Sequence, residues 1–226
     1  MRAAGLKRSK GGGARVGCIL DVPFRYVEAA DGGHFMSRDV YGHRCQVNGA
    51  VWNLGGRNFD GTDDSVNCGN NAVFDLTTAF ALSASISPKD ITTYRRIGSK
   101  FGGPSLPWIF GVSAARSLDI QVRPGPATRS SATTLATGDH TKPIFVACAY
   151  EGSAGRLDVS INGNPDNGEL DGSIPASLNV DNTDVLIGSA VTSPYPMHGL
   201  ILEVRIYSRA EYAAKILQRA IRSRTN

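Results

Sequence analysis

The most chemically distinctive stretch of the chain is an acidic turn, in which Asp60, Asp63 and Asp64 lie within five consecutive residues. Carboxylate oxygens are preferred ligands of Ca²⁺, which takes six to eight oxygens in all. An Asp beside a Gly in a tight turn can instead accept hydrogen bonds from its own backbone. The sequence therefore predicts either a calcium site or a turn capped by its own carboxylates, and it indicates no other cofactor.

Two aromatic residues beside turns, Trp108 and Tyr195, are candidates for stacking on a sugar ring. Trp108 follows Pro107 at the start of a predicted strand, and Tyr195 lies between two prolines in a predicted loop. A large ring offers either an apolar face to a ligand or a large area for burial in the core. Both interpretations stay open for each ring at this point.

Short strands and turns must position these residues. Glycine (26 residues) and proline (11 residues) are frequent, which is typical of a chain with many turns. Leu157, Val159 and Ile161 alternate with polar residues, which predicts a half-buried strand, and 144–152 precedes it as its hairpin partner. A chain of 226 residues suits one large β-sandwich. No apolar run approaches the roughly 20 residues that would span a bilayer.

Several of these segments resemble laminin-G-like domains of the concanavalin A-like jelly-roll class. The acidic turn, Phe59 to Val66, matches the pattern F-D-G-x-D-D-x-V, and 45–52 resembles G-x-V-N-G-A-x-W shortly before it, with Cys45 in place of the first Gly. Residues 80–88, 144–152 and 198–209 resemble further strands of these domains, in the same order. The resemblance covers about 16–210.

The resemblance implies an all-β fold, an antiparallel jelly-roll β-sandwich, to which helical periodicity adds a short C-terminal helix. We predict a basic Gly-rich arm at 1–15, the sandwich at 16–210 and a basic helix or tail at 211–226. In such relatives, acids near the turn and an Asp of the closing strand can hold calcium, but Leu202 stands at that position here. We interpret Leu202 as part of an unbroken apolar face from Leu200 to Ile206.

Hydrolysis of a glycosidic bond would require two carboxyl groups about 5–9 Å apart. Retaining glucanases of the same class share an E-x-D-x-x-E strand, and the nearest match here is Glu169-Leu170-Asp171, with Ile174 in place of the third acid. We interpret this stretch as a solvated loop. No G-x-S-x-G motif is present. The sequence therefore predicts a protein that is not an enzyme.

The basic residues concentrate at the two ends of the chain. Residues 1–15 hold five basic residues and no acid. The predicted docking residues are Arg2, Lys7, Arg8, Lys10, Arg15, Arg219 and Arg222. Like-charged ends either solubilise a protein or bind an acidic partner, and few aromatic residues accompany these charges, so sequence-specific recognition of nucleic acid is not expected.

The N-terminal region lacks the apolar segment of 7–15 residues that a signal peptide carries, and no Asn-X-Ser/Thr sequon occurs. The four cysteines are widely spaced, which favours free buried thiols over disulfides. We therefore predict a virion or extracellular surface protein that needs no signal peptide, such as a phage capsid decoration protein. Its partners would be other protein subunits of an assembly, such as a capsid, and a surface glycan. A carbohydrate-binding or adhesion module is the alternative.

Overall fold

A computed structural model describes residues 17–53, 55–102, 107–137, 142–191, 195–210 and 215. Its strands are β1 (Cys18–Val22), β2 (His34–Met36), β3 (Arg44–Asn48), β4 (Val51–Asn53), β5 (Gly56–Asp60), β6 (Ser65–Asn67), β7 (Ala79–Pro88), β8 (Arg95–Lys100), β9 (Trp108–Val112), β10 (Ser117–Val122), β11 (Ala127–Thr134), β12 (Ile144–Glu151), β13 (Arg156–Ile161), β14 (Asn164–Pro165), β15 (Asn167–Asp171), β16 (Val185–Ile187) and β17 (His198–Tyr207). Single 3-10 turns occur at Phe24–Tyr26, Ala72–Phe74 and Gly152–Ala154.

The strands form two antiparallel sheets packed as a sandwich. The eight-stranded sheet has the order β14-β13-β12-β7-β17-β5-β4, with β1 also paired to β17. The nine-stranded sheet has the order β15-β11-β10-β9-β8-β16-β6-β3-β2. The predicted all-β antiparallel sandwich is therefore confirmed.

Side chains that alternate along each strand fill the space between the sheets. Phe80, Leu82 and Ile86 of β7 face Phe110 and Ile120 of the other sheet within one buried cluster. Burial of apolar surface at about 25 cal/mol per Å² is the main favourable contribution to such a fold. The opposite face of each strand points away from this core, because successive strand side chains alternate in direction.

Two local predictions are corrected by the strand pairing. The register of β17 shifts between Ile201 and Glu203, so its core face runs through Ile201, Val204 and Ile206 rather than unbroken from Leu200. A bulge inserts one residue and so exchanges the faces that follow it. The stretch around Glu169 is not a loop but the exposed edge strand β15, paired with β11.

The predicted C-terminal helix and both basic ends lie outside the described residues, except Lys215, which is helical and exposed. All four cysteines are free and buried, as predicted. Within the described ranges, no helix has the length and apolar character required to cross a bilayer.

Candidate functional site

The acidic turn joins the end of β5 to β6 and brings the three predicted carboxylates together. Oxygen atoms of Asp60, Asp63 and Asp64 all lie within 4.8 Å of one another. The backbone N–H of Asp60 donates to Asp64 Oδ2 at 2.7 Å, and the N–H of Thr62 donates to Asp60 Oδ1 at 2.7 Å. Two of the six carboxylate oxygens therefore already cap the turn.

Burial raises the pKa of the Asp64 carboxyl, and the negative charges of Asp60, Asp63 and Asp31 raise it further. The hydrogen bond from the Asp60 backbone N–H lowers this pKa in part. Asp31 was not predicted as part of this group; it accepts the N–H of Gly49 at 2.6 Å. Leu202, at the relatives' ligand position, is buried and contributes no oxygen. The turn offers carboxylate oxygens of the kind that calcium prefers, and two of them already accept backbone hydrogen bonds.

A second polar site lies on the outer face of the nine-stranded sheet, the face turned away from the core. Arg96 of β8 pairs with Gly111 of β9, and Gly111 pairs with Asp119 of β10, so these residues form one row across three strands. Gly111 places no side chain between the other two. Neighbouring strands lie about 4.8 Å apart, so the backbone positions of Arg96 and Asp119, two strands apart, are roughly 10 Å from each other.

Two tyrosines border this row on the side of Arg96. The rings of Tyr94 and Tyr195 lie 5.4 Å apart between centroids and are tilted by 48°. The Arg96 guanidinium carbon is 5.4 Å from the Tyr94 ring centroid and 5.8 Å from that of Tyr195. The backbone N–H of Arg96 also donates to the Tyr195 carbonyl at 3.0 Å, which fixes the loop beside the strand. We call Tyr94, Arg96, Asp119, Gln121 and Tyr195 the tyrosine–arginine site.

Asp119 is the buried acid of this site, with 1% of its surface exposed. Desolvation by burial raises the pKa of Asp119 to about 6, although Arg96 and the Gln121 side chain lower it. Gln121 Nε2 donates to Asp119 Oδ2 at 3.4 Å. Among the described residues, Asp119 Oδ1 has no hydrogen-bond partner. Burial also lowers the pKa of Arg96, whereas the negative charge of Asp119 raises it. The site thus combines a cation, a buried acceptor to which no described residue donates, and aromatic faces.

The structure separates the two predicted aromatic candidates. Trp108 is 2% exposed and packs on Phe80 in the core, with ring centroids 5.8 Å apart, so its predicted role as an exposed stacking ring is corrected. Tyr195 is half-buried and lies in the tyrosine–arginine site. Asp119 was missed, although a carboxylate between Leu118 and Ile120 signals an acid on the outer face of a strand. The predicted basic docking residues lie outside the described ranges.

Comparison with solved structures shows the same fold at low sequence identity. A Trypanosoma rangeli sialidase in complex with 2,3-difluorosialic acid matches at a TM-score of 0.64 and 15% identity, over 95% of this chain and 34% of the sialidase. The binding domain of botulinum neurotoxin serotype G matches at a TM-score of 0.64 and 15% identity, over 92% of this chain and 52% of that domain. Domain 4 of AbnA, an extracellular arabinanase from Geobacillus stearothermophilus, was solved with arabinotriose. It matches at a TM-score of 0.58 and 16% identity, over 90% of this chain and 98% of that domain.

The chain thus spans about a third of the sialidase and about half of the neurotoxin binding domain. No curated protein sequence matches the chain significantly. A family model does match: residues 60–217 fit the concanavalin A-like lectin/glucanases superfamily. Together with the antiparallel sandwich described above, this match shows that the chain belongs to the concanavalin A-like lectin/glucanases superfamily.

Proposed function

We propose that this protein is a non-enzymatic carbohydrate-binding protein and that it binds a glycan at the tyrosine–arginine site. The observation that carries the proposal is the Tyr94–Tyr195 pair, held by Arg96 on the outer face of a sheet. The apolar face of a sugar ring packs on such rings, and its hydroxyl groups need both donors and acceptors. Arg96 supplies the cation, and the half-buried Gln121 offers both a donor and an acceptor. The buried Asp119 orients Gln121 through their 3.4 Å hydrogen bond.

The similar structures support this class of ligand. Domain 4 of AbnA was solved with arabinotriose, and the sialidase was solved with a sialic acid derivative. Their identities to this chain, 16% and 15%, do not transfer a particular sugar. Arabinotriose and sialic acid are therefore the first two probes, representing a neutral and an anionic saccharide.

The experiment is a glycan array on the full chain, followed by calorimetry with each sugar that binds. We expect Tyr195→Ala to weaken binding about tenfold, the factor that corresponds to an aromatic contribution of about 1.4 kcal/mol. The matched control is Tyr26→Ala, which removes a tyrosine 64% exposed in the 3-10 turn after β1. An array without any hit, or equal affinities for the two variants, would refute the proposal.

The proposal that the protein is not an enzyme has a separate test. A glycosidase needs a second carboxyl opposite Asp119. Glu169 and Asp171 lie on the edge strand β15, two strands away from β10. We expect no hydrolysis of any glycan that binds. Cleavage that is lost in Asp119→Asn would show that the site is catalytic.

We further propose, from the sequence, that the protein acts in an assembly such as a virion and docks there through its basic ends. The supporting observation is the concentration of five basic residues without an acid in 1–15. In that arrangement the protein would lie at the virion or extracellular surface. Cosedimentation of the full chain with purified particles, lost when Arg2, Lys7, Arg8 and Lys10 are changed to Gln, is the expected result.

A further inference from the structure

The nine-stranded sheet has two open edges. Among the strands that the structure describes, β2 pairs only with β3, and β15 pairs only with β11. The outward side of an edge strand can pair with another chain, and folded proteins often protect it with charged side chains. Such charges repel a second edge of the same sign and attract one of the opposite sign. The sign of the charge at each edge therefore decides whether two copies of the chain avoid or approach each other.

The edge at β2 is basic. Arg44 of β3 pairs with Met36 of β2, and both side chains lie on the outer face because the next residue, Cys45, belongs to the core. Arg44 Nη2 lies 3.3 Å from Nδ1 of His34, which points to the same face. Arg38, two residues after β2, is also exposed. We call Arg38, Arg44 and β2 the basic edge.

Exposed apolar side chains accompany these charges. Met36, Val40 and Tyr41 are 56%, 75% and 51% exposed. Tyr26 is exposed as well, and the Arg38 guanidinium carbon lies 5.0 Å from the centroid of its ring. Exposed apolar groups that lie together mark an interaction surface, whereas single ones are normal. The basic edge therefore suits a partner that brings negative charge and covers apolar area.

The opposite edge of the sheet, at β15, is acidic. Glu169 and Asp171 are exposed, and 164–171 contains no basic residue. Asp171 lies in one row with Gln121 of the outer face, so both carboxylates are on that face. Arg129 of β11 pairs with the residue between them and so points to the other face, where its guanidinium donates to two backbone carbonyls at 2.9 and 3.0 Å. We call Glu169, Asp171 and β15 the acidic edge.

The two edges also match in direction and in face. Every strand pair of this sheet is antiparallel, so the first and the ninth strand, β2 and β15, run in the same direction. Arg44, Glu169 and Asp171 all lie on the outer face. A second copy that continues the sheet without being turned over therefore places its acidic edge beside the basic edge of the first.

We propose that the chain associates head to tail with further copies of itself, with the basic edge of one copy against the acidic edge of the next. Two different surfaces meet in this contact, so association leads to a ring or a filament rather than to a twofold dimer. Exposed ion pairs contribute little singly, and the apolar side chains beside the basic edge add buried area. The association is therefore weak and depends on salt.

The first experiment is sedimentation velocity of the full chain at increasing concentration, in about 0.05 M and about 0.5 M NaCl. We expect the mean mass to rise with concentration, and the dissociation constant to increase about tenfold at the higher salt, because salt screens exposed charges. A native chain that stays monomeric up to about 1 mM would overturn the proposal. That outcome would leave the basic edge to an acidic partner of another kind.

Neutral variants of each edge locate the contact. The basic-edge variant is Arg38→Gln with Arg44→Gln, and the acidic-edge variant is Glu169→Gln with Asp171→Asn. Each should weaken association about tenfold, because each removes one side of the ion pairs.

The matched control, Lys89→Gln with Arg209→Gln, removes two exposed charges that follow strands of the other sheet. It should associate as the native chain does. An equal loss in this control would show that net charge, and not the edge, is responsible, and would overturn the proposal.

The decisive experiment mixes the two edge variants in equal amounts. The basic-edge variant keeps a native acidic edge, and the acidic-edge variant keeps a native basic edge, so one native contact can form between them and no further one. We expect the mixture to associate as tightly as the native chain but to stop at 1:1 dimers, which also shows that both variants are folded. A mixture no tighter than the separate variants would overturn the proposal. Association that only the acidic-edge variant loses would also overturn it, because basic residues elsewhere in the chain would then bind the acidic edge.

Discussion

The buried acid Asp119 provides the sharpest quantitative prediction, because its effect on stability depends on pH in a known direction. Burial raises the pKa of Asp119 from its ordinary value of 3.8 to about 6. The folded state therefore holds a proton that the unfolded state releases between about pH 4 and pH 6. Stability falls as the pH rises through this range, because the unfolded state then binds fewer protons.

Each tenfold difference in proton affinity corresponds to 1.36 kcal/mol, so the ionised carboxyl costs the folded state about 3 kcal/mol above pH 6. Asp119→Asn keeps the size of the side chain and stays neutral at every pH. We expect this variant to match the native chain near pH 4 and to be about 3 kcal/mol more stable at pH 7.5. For a chain of this size the gain corresponds to roughly 6–12 °C in Tm.

The assay is urea denaturation of both proteins at half-unit steps from pH 4 to pH 8, and the measured quantity is the difference in free energy of unfolding. Asp171→Asn, which removes an exposed carboxylate of the same sheet, is the matched control and should give a difference that stays near zero. A difference for Asp119→Asn that is constant with pH, or that favours the native chain at pH 7.5, would refute the argument from desolvation.

Three further predictions concern the acidic turn, a buried arginine and the cysteines. Asp64→Ala should lower the free energy of unfolding by about 1–3 kcal/mol because it leaves the Asp60 N–H without its acceptor, whereas Asp63→Ala should lower it little. Equal losses for the two variants would contradict a capping role. Millimolar calcium should leave the Tm of the native chain unchanged. Arg57→Leu should lower the free energy of unfolding, measured by urea denaturation, by about 3 kcal/mol or more. The reason is that three backbone carbonyls, which accept from its guanidinium at 2.7–3.1 Å, lose their donor. An unchanged stability would refute the importance of these hydrogen bonds. When the chain is oxidised with diamide, Cys45 and Cys68, whose sulfur atoms are 2.9 Å apart, should form the first disulfide. Peptide mapping that finds a different first pair would contradict this prediction.

The acidic turn illustrates how far local sequence information reaches. The stretch Phe59 to Val66 predicted a turn followed by a strand, and the structure has β5, the turn and β6 in that order. Turn chemistry depends on neighbouring residues, so a short stretch is sufficient to predict it. The hairpin of β12 and β13 was predicted from the alternation of Leu157, Val159 and Ile161, from the turn before it, and from the resemblance of 144–152 to a strand of the family.

The tyrosine–arginine site shows what such patterns miss. Tyr94, Arg96, Asp119 and Tyr195 are spread over about a hundred residues. The pairing of β8, β9 and β10 and the hydrogen bond from the Arg96 N–H to the Tyr195 carbonyl bring them together. Trp108 and Tyr195 both lie beside prolines, yet one is buried and the other borders the site. A one-residue register shift exchanges the two faces of a strand, so exposure of a given ring depends on distant partners.

The sequence by itself determined the class of the fold, the order of its strands and the acidic turn, since these depend on residues close together along the chain. The tertiary structure decided that Asp60 and Asp64 cap that turn, that Leu202 lies at a bulge, and that Arg96, Gly111 and Asp119 form a row across three strands at the candidate sugar site. The physical reason is that strand register and bulges set which side chains share a face, and the pairing of distant segments sets the register.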